Sequence, residues 1–323
     1  MLTFAQRKKF LYRYMISRRN IRIKVMQLLY ALESLGSENA QPAQLEKQLR
    51  KQIDQTRTLI AYLLLNIVEI ARYAETYARQ RASKNIKTEE DLNVNIKIAG
   101  NEVMWKIWEN AGFRTIVEQD KIALMPDADF IKKAFLQLSE SDVYKQYIAE
   151  QSRNKKSETE ILQYIFTDIL LADESFIYQT EELFQNWDDD CEIAEQMILQ
   201  YLQKPQSLDL RESVSPDKWT FAKNLLVTVL EKENVLMDLI KPKLKNWDPE
   251  RIAVVDMLLL KMGVSELLFF ETIPTKVTIN EYIDVAKDYS TKQSGQFVNG
   301  ILDSIHKDLI SQNRINKIDF RKR

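Results

Sequence analysis

The sequence predicts an all-α protein, because turn-forming residues are scarce and apolar residues recur at helical spacing. Only 6 glycines and 7 prolines occur in 323 residues, whereas sheet proteins need frequent turns that are rich in both. Hydrophobic residues make up 45% of the chain and charged residues 29%, which is enough for a sizeable core in one large or two ordinary domains. Long helices joined by short connections are therefore expected.

Apolar periodicity places the helices of the first half in order. The first helix is expected from about 17 to 35, and a break at 36–42 separates it from a very long helix over about 43–81. A polar, broken stretch follows at 83–100. Shorter helices are expected over 102–110, 128–138, 141–151 and 159–172, with an exposed loop at 152–157.

Helix-start signals mark the last third of the chain. Ser215-Pro216 and Asp248-Pro249-Glu250 each place a capping residue before a first-turn proline. Thr278 and Glu281 have the spacing of a capping box, which predicts a helix start at Thr278. A final helix is expected over 296–309, where apolar residues have core spacing. Short connections predict that sequential helices pack antiparallel.

The positive charge of this chain is concentrated near its N-terminus. Net charge is -1, yet no acidic residue precedes Glu33, and the first turns of the first helix hold four cations: Arg18, Arg19, Arg22 and Lys24. Cations at a helix N-terminus oppose the helix dipole. A bound phosphate would relieve that conflict. An acidic partner elsewhere in the fold, or a solvated terminus, would explain the pattern equally well.

Composition also indicates the cellular compartment. A single cysteine, Cys191, allows no disulfide within the chain, which fits a reducing cytoplasm. The N-terminus lacks the apolar run of a signal peptide, and Met15 is an alternative start. The most apolar stretch, 59–70, is too short to cross a bilayer. A soluble cytoplasmic protein that does not enter membranes is expected.

The residue inventory argues against an enzyme and against a metal or organic cofactor. One histidine, His306, and one cysteine lie more than a hundred positions apart, so a thiol–imidazole pair would need an accident of folding. The glycines form no phosphate-binding loop. The acidic run Asp188 to Asp190 could hold a hard cation, but a helix N-terminus already explains it.

Binding chemistry remains as the predicted activity. Besides the basic first helix, Gln296, Phe297 and Asn299 near Lys292 combine amides, an aromatic ring and a cation, which suits single-stranded RNA. Phe297 is more often a core residue in such a pattern. Gly300 lies inside the final helix, where glycine costs stability, and this suggests the close approach of another backbone or a ligand.

Several passages of the sequence match the pattern of a known family. Ser17-Arg-Arg-Asn-Ile-Arg-Ile-Lys-Val-Met-Gln-Leu-Leu-Tyr30 is similar to the family's first helix. The block Asn246-Trp-Asp-Pro-Glu-Arg-Ile-Ala253 and the run Ile273-Pro-Thr-Lys-Val-Thr-Ile-Asn-Glu281 continue the likeness. The most specific match is Phe297-Val-Asn-Gly-Ile-Leu-Asp303. These passages resemble the NusB family, and the resemblance covers about a third of the chain.

The resemblance implies an antiparallel helical bundle that binds boxA-like, single-stranded nascent ribosomal RNA. Family members do so with NusE, a small-subunit ribosomal protein, and help the RNA polymerase elongation complex read through terminators. It implies RNA contacts and a partner-binding residue, Tyr30. The implied RNA contacts are Arg18, Arg19, Arg22, Gln296, Phe297 and Asn299. The positions of the basic residues add Lys24 and Lys292 to the predicted RNA surface.

The chain departs from the family by its length. We expect a basic N-terminal segment with the first helix at 1–36, an inserted helical region at 37–213, the C-terminal part of the bundle at 214–311 and a basic tail at 312–323. The near-neutral net charge and the size of the insertion leave an alternative open, a helical protein-interaction scaffold that no longer binds RNA. A hydrolase built on Asp188 to Asp190 ranks third.

Overall fold

The computed structural model describes residues 16–36, 41–205, 210–211, 213–244 and 252–318, and over these residues it contains helices and no β-strand. The predicted all-α class is confirmed. The α-helices are α1 (Arg18–Ser34), α2 (Pro42–Ala82), α3 (Glu89–Leu92), α4 (Glu102–Trp108), α5 (Ala111–Gln119), α6 (Ala128–Glu140), α7 (Asp142–Ala149), α8 (Lys155–Tyr164), α9 (Glu174–Leu183), α10 (Trp187–Gln203), α11 (Pro216–Glu231), α12 (Glu233–Ile240), α13 (Val254–Phe269), α14 (Thr275–Tyr289) and α15 (Ser294–Ser311).

The described residues form two compact units. The central unit is Asp54–Ser213. The terminal unit combines Ile16–Ile53 with the chain from Val214 onward. Helix α2 begins in the terminal unit and ends in the central one. The predicted segment boundaries at 36/37 and 311/312 are therefore not boundaries between the compact units, and as functional boundaries they stay predictions.

The terminal unit is a helical bundle in which α13, α14 and α15 pack on one another and α1 packs on α11 and α13. Helix α13 supplies its centre, because it is buried over most of its length. Gly263 of α13 lets α15 approach closely, since a β-carbon there would lie 2.9 Å from both terminal methyls of Leu302. Helix α1 is also buried on most of its middle turns, from Asn20 to Met26.

Lysines tie the first and the last described segments to this bundle. Lys218 of α11 donates from Nζ to the backbone carbonyl of Ile16 at 2.6 Å, which holds the start of α1. Lys317 donates to the carbonyl oxygens of Glu266 and Phe270, at 2.7 Å each, at the C-terminal end of α13. Both carbonyls also accept a backbone N–H bond, so the ammonium adds a charged donor at a helix C-terminus, where the helix dipole favours positive charge.

The central unit has a core rich in aromatic rings. The ring of Phe176 stacks on Tyr62 at 5.9 Å and on Phe130 at 5.0 Å, measured between centroids. Buried Thr56 donates to Asp190 at 2.8 Å and so connects α2 with α10. Helix α8 continues into a π-helical segment, Ile165–Leu170. A well-packed core of this size explains why the added length forms a compact unit of its own.

Several predicted helix bounds are confirmed to within two residues, among them those of the first helix, the very long helix and the final helix. The prediction of a helix start with a capping box at Thr278 is wrong. Helix α14 begins at Thr275, and the buried Thr278 hydroxyl donates to Glu266 at 3.2 Å instead of capping a helix. The loop expected at 152–157 is shorter, because α8 begins at Lys155. Helices α5 and α9 were not anticipated as separate elements. The start expected at Asp248-Pro249-Glu250 lies outside the described residues.

Candidate nucleic-acid interface

The N-terminus of α1 presents two arginines at the surface of the terminal unit. Ser17 caps the helix by accepting from the backbone N–H of Asn20. Arg18 and Arg19 follow in the first turn, and their side chains are 42% and 40% exposed. The first turn of α1 contains no acidic residue. This end of the helix therefore combines free N–H groups with two accessible cations, an arrangement that favours anions.

Acidic side chains of neighbouring helices already meet these two arginines. Arg19 contacts Asp288 of α14 at 2.7 Å and Asp284 at 3.5 Å, and Arg18 lies 3.9 Å from Asp217 of α11. The sequence allowed an acidic partner elsewhere in the fold as the explanation for these cations, and the structure contains such partners. Exposed pairs of this kind contribute at most about 1 kcal/mol, so a phosphate could displace a carboxylate from either guanidinium. Sequence reasoning missed these acids because they follow the arginines by about 200 positions or more.

Arg22 is not a phosphate contact, and this prediction is corrected. Its side chain is 2% exposed. Its guanidinium donates to both carboxylate oxygens of Glu266, at 2.7 and 3.0 Å, and to Glu281 at 3.2 Å. Burial alone would lower the pKa of Arg22, but the hydrogen bonds and charge of Glu266 outweigh it and raise the pKa. A guanidinium engaged in this way stabilises the bundle and has no free face for RNA.

Lys24 and Phe297 are corrected for the same reason. Lys24 is 1% exposed and Phe297 is 7% exposed, so neither can reach a phosphate or stack on a base. Phe297 lies one helical turn before Ile301 and two before Ile305, on the apolar stripe of α15. The alternative interpretation of Phe297 as a core residue is the one that the structure supports.

The N-terminal half of α15 carries the other predicted contacts at the surface. Lys292, just before the helix, and Gln296 and Asn299 within it are exposed. The buried Ser294 hydroxyl donates to Asp256 of α13 at 2.7 Å and accepts from the backbone N–H of Thr291 at 3.2 Å. These bonds fix the turn that presents Lys292. The exposed face therefore offers one cation and two amides on a rigidly held helix.

Gly300 continues this face. It is exposed, and a β-carbon built on it would meet nothing within 4 Å. Glycine in a helix interior is less stable than alanine by about 1 kcal/mol. The close approach that the sequence predicted for Gly300 is thus not made by the described part of the chain.

Tyr30, the predicted partner-binding residue, is 45% exposed on the outer side of α1. Nearby, the C-terminal turns of α1 and the first turns of α2 enclose an apolar groove of about 150 Å³. The groove is lined by Leu28, Ala31, Leu32, Leu35, Gln44, Leu45 and Gln48. Leu35 is 77% exposed at its edge. Leu28, Leu32 and Leu35 share the groove face of α1, and helical spacing places Tyr30 on the opposite face. The exposed ring and the groove are therefore two separate surfaces, and both differ in character from the charged N-terminus.

The surroundings of the residues considered for catalysis or metal binding do not favour either role. Asp190 is buried and accepts from Thr56, as described above. Cys191 has a pKa raised mainly by burial, which disfavours the thiolate. Within the described ranges, no three His, Cys, Asp or Glu side chains are grouped so that they could hold a metal ion. No helix of the described chain combines the length and the apolarity that crossing a bilayer requires.

Fold and surface together define an all-helical protein with a cation- and amide-bearing face on its terminal bundle. Residues 177–307 match the NusB family. Proteins named transcription antitermination protein NusB are similar to this chain. The one from Salinibacter ruber is 43% identical over 32% of this chain and 64% of its own length, and the one from Methylacidiphilum infernorum is 40% identical over 31% and 66%. The one from Thermodesulfovibrio yellowstonii is 37% identical over 32% of this chain and 68% of its own.

The chain belongs to the NusB family. It spans about two thirds of the length of the curated relatives that it matches. A solved structure of T. maritima NusB is 35% identical, covering 40% of this chain and 84% of that chain with a TM-score of 0.29.

The family match takes in residues 177–213 of the predicted insertion. It leaves out α1, whose likeness to the first helix of the family stays a prediction.

Proposed function

We propose that this protein is an RNA-binding transcription antitermination factor that recognises boxA-like, single-stranded nascent ribosomal RNA together with NusE. One observation carries the proposal: the family match ends in α15, and the start of α15 with the turn before it exposes Lys292, Gln296 and Asn299. Amides donate and accept hydrogen bonds and so can read base edges, while lysine meets phosphate. The names of the relatives support the antitermination part of this proposal.

Arg18 and Arg19 supply the second part of the proposed RNA surface. Arg19 contacts Asp288, four residues before Lys292, so the charged end of α1 lies beside the end of α14 that leads into α15. Phosphates of a bound strand would take over guanidinium donors that Asp217, Asp284 and Asp288 now occupy. Arg22, Lys24 and Phe297 support this surface from beneath and do not touch RNA.

NusE and the RNA polymerase elongation complex are the proposed partners. Tyr30 and the groove between α1 and α2 offer an exposed ring and apolar side chains, which suit a protein partner more than a phosphate chain. RNA bound at Arg18 and Arg19 and a protein bound at Tyr30 would occupy opposite ends of α1.

The test is a fluorescence-anisotropy titration of the full chain against labelled boxA RNA and a scrambled strand of equal length, with and without NusE. We expect preference for boxA, tightened by NusE. Lys292→Ala with Gln296→Ala should weaken binding to boxA, whereas Lys232→Ala, at an exposed lysine of the connection between α11 and α12, should not. Equal weak binding to both strands, unaffected by NusE, would overturn the proposal.

A second candidate is a helical interaction scaffold without RNA affinity. The central unit favours it, because this unit has its own core yet leaves Tyr178 64% and Leu124 82% exposed. Exposed aromatic and aliphatic side chains are typical of protein interfaces. If the full chain binds neither RNA but still retains a protein partner that Tyr178→Ser releases, the scaffold function replaces the RNA function.

A further inference from the structure

Gly300 differs from the other glycines inside the helices of the terminal unit. Gly263 is required by packing, because a β-carbon would lie 2.9 Å from Leu302. Gly295 is similarly confined, with a β-carbon 2.9 Å from the side chain of Lys287. At Gly300 a β-carbon would enter open space. Nothing in the described part of the chain therefore explains why the side chain is absent.

The backbone at Gly300 gives no explanation either. Among the glycines, a positive φ occurs at Gly36 and not at Gly300, so alanine would fit the helical conformation without strain. Alanine is favoured over glycine in a helix interior, because it restricts the unfolded chain and shields the backbone. The glycine is thus unfavourable for helix stability, and a bound molecule that touches the backbone would account for it.

The surroundings of Gly300 identify the chemistry of that molecule. Asn299 is its chain neighbour and Gln296 lies one turn earlier, so two exposed amides border the bare backbone. On the far side, Asp303 is held by Lys307 at 2.7 Å. Amides beside a flat surface can bond the edge of a planar ring while its face packs on the helix. An apolar protein side chain would leave both amides without partners.

We propose that Gly300 is a contact position at which a nucleobase of bound single-stranded RNA packs directly on the backbone of α15, with Gln296 and Asn299 bonding its edge. This inference rests on the proposed RNA-binding function and adds to it a position where the size of the side chain determines affinity. A methyl group at Gly300 would hold the base away from the helix and lengthen both amide contacts.

The experiment compares Gly300→Ala, Gly300→Leu and Ser304→Ala in the full chain. Each variant is titrated with labelled boxA RNA in the absence of NusE and, separately, with NusE alone. Its melting temperature is recorded by circular dichroism. Gly300→Ala should melt about 2 °C higher and bind RNA about fivefold more weakly. Gly300→Leu should bind still more weakly while remaining folded. Ser304→Ala, one turn further along α15, should leave RNA affinity unchanged.

The outcomes separate this inference from the function on which it rests. Wild-type protein that binds boxA RNA with Gly300 variants of equal affinity would overturn the inference and leave the RNA function intact. Variants that keep RNA affinity but lose NusE would assign Gly300 to a protein contact and overturn it too. Wild-type protein without any RNA affinity would overturn both. Weaker RNA binding by a more stable Gly300→Ala protein supports the inference. If Gly300 had only a structural role, its replacement would lower the RNA affinity and the melting temperature together.

Discussion

Arg22 and Glu266 form a buried, bidentate ion pair between α1 and α13. Nε of Arg22 donates to Oε1 of Glu266 at 2.7 Å, and Nη2 donates to Oε2 at 3.0 Å. The Tyr282 hydroxyl adds a bond to Oε1 at 2.7 Å, and Thr278 adds one to Oε2. One carboxylate therefore receives donors from α1 and α14 while it belongs to α13. Burial, followed by the charge of Glu266, raises the pKa of Tyr282 well above its ordinary value, so this hydroxyl stays a donor.

Removing one partner of this pair should destabilise the terminal unit strongly. Arg22→Met leaves the charge of Glu266 buried without its main counter-ion, and breaking such a pair costs about 3–5 kcal/mol. Urea denaturation followed by circular dichroism measures the loss. Arg18→Met is the matched control, because the Arg18–Asp217 contact is exposed and 3.9 Å long and should be worth less than about 1 kcal/mol. Equal small losses in both variants would contradict a structural role for Arg22.

The acids that face Arg19 should compete with RNA. Replacing Asp284 and Asp288 by Asn frees the guanidinium that they now hold at 3.5 and 2.7 Å. BoxA RNA should then bind about threefold more tightly, which corresponds to the free energy of an exposed pair. The slope of log affinity against log salt should steepen by about one unit for each additional phosphate that the protein neutralises. Asp142→Asn makes the same kind of charge change at an exposed side chain of the central unit, and its effect should be negligible. A double variant that behaves like Asp142→Asn would remove Arg19 from the RNA surface.

The sequence was sufficient to predict the helical class and the bounds of the longer helices, because both follow from local patterns. Scarcity of glycine and proline excludes frequent turns, and apolar spacing identifies helices of many turns such as α2. Helices α5 and α9 were missed although the shorter α4 and α7 were expected, so apolar spacing identifies some helices of ten residues or fewer and misses others. Thr278 shows a second limit: a hydroxyl spaced for capping serves as a buried donor when a carboxylate such as Glu266 lies opposite.

The candidate site was predicted only in part, because burial of a charge depends on partners distant in sequence. Arg22 and Arg19 look alike locally, but Arg22 meets Glu266, 244 positions later, whereas Arg19 meets the exposed Asp288. One signal was present. Arg22, Val25 and Leu29 share an apolar stripe, and Glu266 is a charge within the mainly apolar α13, so a buried pair could have been inferred.

Lys317 should make stability rise with pH above neutrality. Its burial at the end of α13 lowers its pKa to about 8, against about 10.4 in an unfolded chain. Between these values the unfolded chain binds more protons, so this group contributes more stability as pH rises, and the contribution is flat below about 8. The free energy of unfolding of wild type minus that of Lys317→Met, measured by urea denaturation from pH 7 to 10, should therefore increase. The same difference for Lys276→Met, at an exposed lysine of α14, should stay flat. A decrease for Lys317→Met would mean that the carbonyls of Glu266 and Phe270 hold the charged amine more tightly than burial penalises it.

Gly263 and Leu302 should be coupled across the contact between α13 and α15. A β-carbon at Gly263 would lie 2.9 Å from both terminal methyls of Leu302 and 3.4 Å from the ring of Tyr282. Overpacking of this kind costs about 1–3 kcal/mol, and the better helix propensity of alanine offsets about 1 kcal/mol of it. Gly263→Ala should thus lower the free energy of unfolding although Gly300→Ala raises it. In a double-mutant cycle with Leu302→Ala, the loss for the double variant should be smaller than the sum of the single losses by about 1 kcal/mol, because the methyl group fills space that Leu302 vacates. Strict additivity would show that the two helices move apart instead of clashing at this point.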